Sequence, residues 1–294
     1  MNNSKHKWIL TVQCLLFISI VHFSFDTNLH LTNITSTIPY RAEWAIKPLE
    51  EPDISKVTEI LQQPFSYLNE GGQAYAFASA DQKYVLKLFK FKRFRPSLSV
   101  SLLPPIFPFK AYRERHITKR YNKLLTAFNS YKIAYESLRQ ESGLIFVQLN
   151  YAHAPQIITL IDKSKRKISV DLANISYILQ EKGEMFSHVL TRILNRGDRQ
   201  VAQQRISQLF DLYLSEYNKG IYDLDLGVVH NIGFIEDKIF HLDAGKLIHD
   251  ERIKDGEFRE KKINRNSYDD TRVVEQTLSA LFCRTSLVYG REVI

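Results

Sequence analysis

The chain has 294 residues, 44% hydrophobic and 24% charged, which excludes a disordered chain and leaves room for one large domain or two lobes around a sizeable core. Its net charge of +8 favours polyanionic partners, but charge alone does not separate nucleotides, nucleic acid and an anionic membrane face. Two cysteines, Cys14 and Cys283, exclude a disulfide framework.

Lys5-His6-Lys7 precede residues 8–25, a mostly apolar run in which only Gln13 and His22 are strongly polar. A basic start followed by a hydrophobic run is a membrane-directed segment. Phe23-Ser24-Phe25 is too bulky for a cleavage site, so the run predicts a single uncleaved N-terminal anchor through which the chain associates with a membrane. No Lys or Arg follows before Arg41, which places the N-terminus in the cytosol and the body on the non-cytosolic side. Asn33-Ile34-Thr35 fits a glycosylation acceptor and equally an ordinary polar loop. Residues 26–52, rich in Thr, Asn and Pro, predict a linker, with the fold starting near Asp53. Residues 54–62 have helical spacing, with Ile54, Val57, Ile60 and Leu61 on one side and Asp53 as cap.

Residues 65–90 read as strand, glycine turn, strand, polar turn, strand. Gly71-Gly72 permits positive φ and close approach of backbone N–H groups to an anion, although a paired glycine between strands also makes a plain hairpin. Lys87 lies in an apolar strand, where an ammonium needs a partner, a use or an edge from which to reach water. Lys90, Lys92, Arg93 and Arg95 then alternate with Phe89, Phe91 and Phe94; such interleaving suits a polyanion or a membrane surface, or the solvated face of a strand end. Residues 96–109 carry prolines at 104, 105 and 108 and cannot form regular helix; so apolar a loop packs on the body or on the bilayer. Residues 111–140 predict helix in two pieces divided near Asn129-Ser130, with Ser130 as second cap. Strands follow at 143–150, 156–162, 167–172 and 176–180, then helices at 185–195 and 202–217, the latter with Ile206, Leu209, Phe210, Tyr213 and Tyr217 on one face.

Residues 220–245 place more polar groups in an apolar frame than any other stretch. Residues 232–235 and 239–242 are too short for helices and read as a hairpin turning at Glu236-Asp237-Lys238. Asp223 and Asp225 precede it, Asn231 starts it and Asp243 follows it. Carboxylates and a carboxamide at strand ends form an oxygen donor set of the kind Mg²⁺ uses when it also holds phosphate oxygens. Residues 266–288 predict a final amphipathic helix.

The run 68–76 with Tyr84-Val85-Leu86-Lys87, and the run 220–245, together resemble the glycine-rich loop, strand lysine, catalytic loop and metal-binding Asp of the protein-kinase-like superfamily. The order and distances match over about 65–250. The resemblance implies an α+β, two-lobed fold: an N-terminal lobe at 53–181 with a helical insertion at 96–140, and a small C-terminal lobe at 182–294. It also implies ATP with Mg²⁺ or Mn²⁺ as cofactors. Gly71 and Gly72 would cover phosphates, Lys87 would bind the α- and β-phosphates, and Asn231 and Asp243 would hold metal. Asp225, or failing it Asp223, would take the acceptor's proton. A helical glutamate would pair with Lys87, with Glu136 ranked ahead of Glu114 and Glu141. Glu181-Lys182-Gly183 would be the hinge that receives adenine by its backbone. The acceptor is left as a protein or small-molecule hydroxyl, with acidic partners favoured by charge; nothing in the pattern points to nucleic acid. The chain departs from the family pattern at several places. Asp225 to Asn231 is six positions where five is usual, Asn69 and Ala74 stand where glycines are usual, Ala244 replaces an aromatic, and no Ala-Pro-Glu occurs. The resemblance is therefore to compact, atypical kinase-like proteins, including catalytically weak scaffolds, rather than to ordinary eukaryotic protein kinases.

Overall fold

The structure, a computed structural model, describes residues 29–259 except 37, 105, 153, 226 and 227. The expected anchor at 8–25 and the expected helix at 266–288 lie outside the described residues. Among the described residues no helix is long and apolar enough to cross a membrane.

The molecule is mixed α+β. Seven strands, β1 (Phe65–Glu70), β2 (Ala74–Ser79), β3 (Tyr84–Phe89), β4 (Leu144–Gln148), β5 (Ile157–Ile161), β6 (Lys167–Asp171) and β7 (Tyr177–Glu181), form one sheet in the order β4-β7-β3-β2-β1-β5-β6. Neighbours are antiparallel except β1 and β5. Side chains alternate across a strand, so central β3 divides its residues between two cores. Leu86 and Leu88 join Phe65, Phe77, Leu160 and Leu179 on one face, beneath Val57, Ile60 and Leu61 of helix α1 (Asp53–Gln62). Phe89 joins Phe128, Tyr131, Ala134 and Ile178 on the other, beneath helix α2 (Phe109–Ser137). Lys87 takes the same face as Phe89 by that alternation, the α2 side.

Past the sheet come the two-residue strand β8 (Glu184–Met185), helices α3 (Phe186–Asn195) and α4 (Arg199–Asn218), and the strands β9 (Ile221–Asp223), β10 (Ile232–Ile235), β11 (Lys238–His241) and β12 (Leu247–His249). The hairpin β10–β11 turns at Glu236, whose φ is +53°, and β10 also pairs with β8. A separate pair, β9 with β12, sets Asp223 opposite Leu247. Phe186, Val189, Leu190, Leu209, Leu212 and Phe234 make the core here.

Several expectations are corrected. Residues 26–52 are not simply a linker, because Ile34 and Trp44 are buried, Ile34 beside α1 and Trp44 edge-on to Phe128 at 4.8 Å. Asp53 does not cap α1 through its side chain; it pairs with Arg139 at 2.8 Å. Helix α2 is continuous through Asn129-Ser130, since the Ser130 hydroxyl is not used as a cap: it donates to Ala244 O and accepts from Leu247 N at 2.5 Å. Residues Phe91–Phe94 form a helical turn rather than a strand end. Phe210 is exposed while Leu209 and Tyr217 are buried, so the inward face of α4 is narrower than its apolar spacing suggests.

Candidate functional site

A cleft with a cavity volume of ≈ 270 Å³ opens between the glycine turn after β1 and the segments around β9 and β11. Its walls include Gly71, Gly72, Lys87, Asp223, Asp225, Asn231 and Asp243, residues drawn from stretches about 150 positions apart. β3 brings Lys87 up from one side, and the end of β11 delivers Asp243 from the other. The Asn231 carbonyl joins them by accepting the N–H groups of Leu242 at 2.7 Å and Asp243 at 3.2 Å, which locks the hairpin's two ends side by side. Lys87 Nζ donates to the Leu242 carbonyl. Burial pushes the Lys87 ammonium below the ordinary lysine value, with the Asp243 carboxylate opposing it.

Asp243 Oδ1 accepts from the Tyr131 hydroxyl at 2.8 Å and from Gly245 N at 3.0 Å. Desolvation, then the charge and hydrogen bond of Asp243, push the Tyr131 phenol well above its usual value, so it stays a donor. Asp225 pairs through Oδ2 with Lys246 Nζ at 2.6 Å, on the open side of the cleft. The Asn231 carboxamide donates to Asp225 O at 3.3 Å. Asp223 lies deeper: its Oδ1 accepts the Asp225 N–H at 2.8 Å, and burial pushes its carboxyl up to about 7. Beneath it, fully buried His241 pairs with fully buried Glu216 of α4. Burial opposes the His241 charge, but Glu216, aided by Asp223 and Asp243, raises its value above the ordinary one.

Two of the expected residues are not brought to the cleft. Glu136 pairs with Lys132 at 3.9 Å and lines a separate groove with Glu50, Asp53 and Arg139. The physical reason is helical phase: five residues separate it from Tyr131, about 140° around the helix, so only one of them can face the sheet. Glu141 pairs with Lys219, and Glu114 is exposed. Glu181 donates its N–H to Gly143 O at 2.9 Å, and Lys182 donates its N–H to Lys83 O at 2.8 Å, so both amides are committed to the turns that lead into β4 and β3. Gly71 and Gly72 do not use positive φ; a Cβ at either would meet nothing within 4 Å.

Sequence reasoning missed Tyr131, Lys246, Gln73 and Lys90. Gln73 lines the cleft and approaches Gly245 from the turn, where a Cβ would lie 3.5 Å from its Oε1. Lys90 is buried and braces the glycine turn: Nζ donates to Glu70 Oε2 at 2.6 Å and Gly71 O at 2.8 Å, and lies 4.5 Å from the Tyr75 ring centroid. The alternation of cations and aromatics held the signal for Lys90, but not which cation turned inward.

Among the described residues no three His, Cys, Asp or Glu side chains gather into a metal cluster. Asp243 and Asn231 both line the cleft, and a carboxylate and a carboxamide are the oxygen donors there that could hold a magnesium-like ion completed by phosphate and water.

No protein-family profile matches the chain, and no curated protein matches it. Solved structures that resemble it include the high-resolution crystal structure of WbdD and the co-crystal structure of WbdD with the kinase inhibitor LY294002. Each superposes with a TM-score of 0.30 at 14% identity, covering 63% of this chain and 33% of the WbdD chain. The chain thus spans about a third of the WbdD length, and an overlap this slight transfers neither function nor mechanism.

Proposed function

We propose that the chain is a compact, two-lobed member of the protein-kinase-like superfamily that moves the γ-phosphoryl of ATP to a hydroxyl on an acidic protein or small molecule, anchored to a membrane through residues 8–25 with its body on the non-cytosolic side. One observation carries the catalytic part: seven of the nine residues singled out from sequence line a single cleft. In this reading the backbone of Gly71-Gly72 covers the phosphates, and Lys87 turns its remaining donors to the α- and β-phosphates. Asn231 and Asp243 hold Mg²⁺ or Mn²⁺, which when bound neutralises phosphate charge. Tyr131 and Gly245 fix the orientation of the Asp243 carboxylate by donating to it.

The two carboxylates left as alternatives take different roles. Asp225 opens on the cleft and takes the acceptor hydroxyl's proton once it parts from Lys246. Asp223, buried beneath it, positions Asp225 through the backbone hydrogen bond.

A second reading, a nucleotide-binding scaffold without efficient catalysis, is favoured by two observations. Lys246 holds the Asp225 carboxylate, and the helical glutamates are paired with other lysines or exposed rather than with Lys87. Thermal unfolding of the full chain with ATP or ADP and Mg²⁺ or Mn²⁺ tests both. Nucleotide at a hundredfold over its dissociation constant stabilises by about 2.7 kcal/mol. ATP turnover lost in Asp225→Asn with the thermal shift kept supports the enzyme. A shift abolished by Asp243→Asn, with no turnover in the unaltered chain, supports the scaffold. No shift with any nucleotide and metal pair sinks both.

A further inference from the structure

Helix α2 runs Phe109–Ser137, yet its first buried residue is Leu124. None of the fifteen residues before it, about 22 Å of helix, is buried, and the last turn of them, at Arg120 and Tyr121, packs on the body. Val100 packs down before the helix, but the tip that follows it stays in water: Phe107 is 89% exposed, Leu102 73% and Ile106 61%, with Phe109 and Tyr112 also exposed. Water-exposed apolar groups scattered singly need no explanation, but several gathered at one proline-punctuated tip do. The charge is gathered here too. Residues 92–123 hold nine Lys and Arg against one acidic residue, Glu114. Lys110, Arg115, Lys119 and Lys123 are exposed along the shaft, while Arg120 braces the base by donating to the carbonyls of Arg93 at 3.1 Å and Arg95 at 2.6 Å.

We propose that this arm, residues 101–123, docks on an anionic lipid surface, with Leu102, Ile106, Phe107 and Phe109 inserted among the acyl chains and the shaft's cations at headgroup level. Aliphatic side chains beside aromatic ones favour lipid over nucleic acid, because Leu and Ile offer nothing to a phosphate or a base face, whereas hydrocarbon accepts both kinds. The separation of an apolar tip from a cationic shaft is the arrangement that a charged interface selects: apolar burial supplies depth, and Lys and Arg add attraction to anionic lipid. The inference is independent of what the cleft does.

A tryptophan at the tip reports directly. The full chain carrying Phe107→Trp is mixed with vesicles of brominated phosphatidylcholine, with and without phosphatidylglycerol, and its emission is compared with that of the unaltered chain to remove Trp8 and Trp44. Because residues 8–25 carry the chain to either vesicle, the tip is read at saturating lipid, and the expected result is a blue-shifted, bromine-quenched component at least threefold larger on the anionic vesicles. It is lost when Lys110→Glu, Arg115→Glu and Lys119→Glu are added while the far-ultraviolet circular dichroism is unchanged. A tip that stays water-like on both vesicles overturns the proposal, and so does equal quenching on both. A blue shift that grows with protein concentration without vesicles would assign the tip to a second copy. A shift produced by single-stranded oligonucleotide but not by vesicles would assign it to nucleic acid. Either result overturns docking on lipid.

Discussion

Replacing Asp223 by asparagine measures what its buried carboxyl costs the fold. Asp223 is pushed up to about 7, chiefly by burial, while the ordinary value that the unfolded chain keeps is 3.8. Between those values the folded protein holds a proton that the unfolded chain has released. Stability contributed by this group therefore falls as pH rises through that window, and the loss is complete above about 7. A gap of about three pH units corresponds to at most about 4 kcal/mol at roughly 1.36 kcal/mol each. Asparagine keeps an oxygen for the Asp225 N–H, now 2.8 Å from Asp223 Oδ1, and has no charge to bury. His241 works the other way: its value is raised, so its contribution is present below 6.5 and is lost as pH rises through its folded value. Removing the Asp223 charge weakens that contribution and trims the gain. Urea unfolding of both chains from pH 4 to pH 8 should show the Asp223→Asn advantage growing from near zero to about 1–4 kcal/mol. A difference that stays flat or falls across this range refutes the account of a carboxyl neutral by burial.

Lys90→Met keeps the aliphatic stem but removes two charge-assisted hydrogen bonds, to Glu70 and to Gly71 O. Because Glu70 is half-exposed, the expected cost is about 2 kcal/mol in urea unfolding, and nucleotide affinity at the turn should fall with it. Unchanged affinity would mean that the brace does not shape the binding turn. Gly183→Ala is expected to cost about 1–3 kcal/mol by overpacking, since its Cβ would lie 2.7 Å from Phe234 O and closer still to the Phe240 ring. Gly71→Ala, which meets nothing within 4 Å, should leave the unfolding midpoint in place, so any loss of nucleotide binding by that variant belongs to the cleft rather than the fold.

What sequence could reveal about the site followed the reach of local pattern. Lys87, Asn231 and Asp243 stood out because each is a polar group at a fixed place relative to a short apolar strand, and strands fix direction by simple alternation. Tyr131 did not stand out: on an apolar stripe with Leu124, Phe128, Ala134 and Leu138 it reads as core, and its hydroxyl meets Asp243 across 112 positions. Glu136 ranks first among the helical glutamates, although the same stripe places it out of phase with the sheet. Lys246 and Lys90 are single lysines in a lysine-rich chain, and only tertiary packing tells one that closes an ion pair in the cleft from one that meets water. The strands of the large sheet were readable because β-branched and aromatic runs are punctuated by turns, whereas Ile34 and Trp44 lay in polar, proline-containing surroundings that carry no period.

The Ser130 hydroxyl binds the chain on both sides of Lys246, donating to Ala244 O and accepting from Leu247 N, across more than a hundred positions of sequence. Lys87 reaches Leu242 over 155. Contacts of this span are closed late, because the loop between them must lose its freedom before any bond is gained. If the cleft closes after the sheet and α2 have met, it contributes little to the folding transition state. Substitutions at Ser130 should accordingly hasten unfolding while leaving the folding rate almost unchanged, so that damage to the site shows as a shorter lifetime of the native protein.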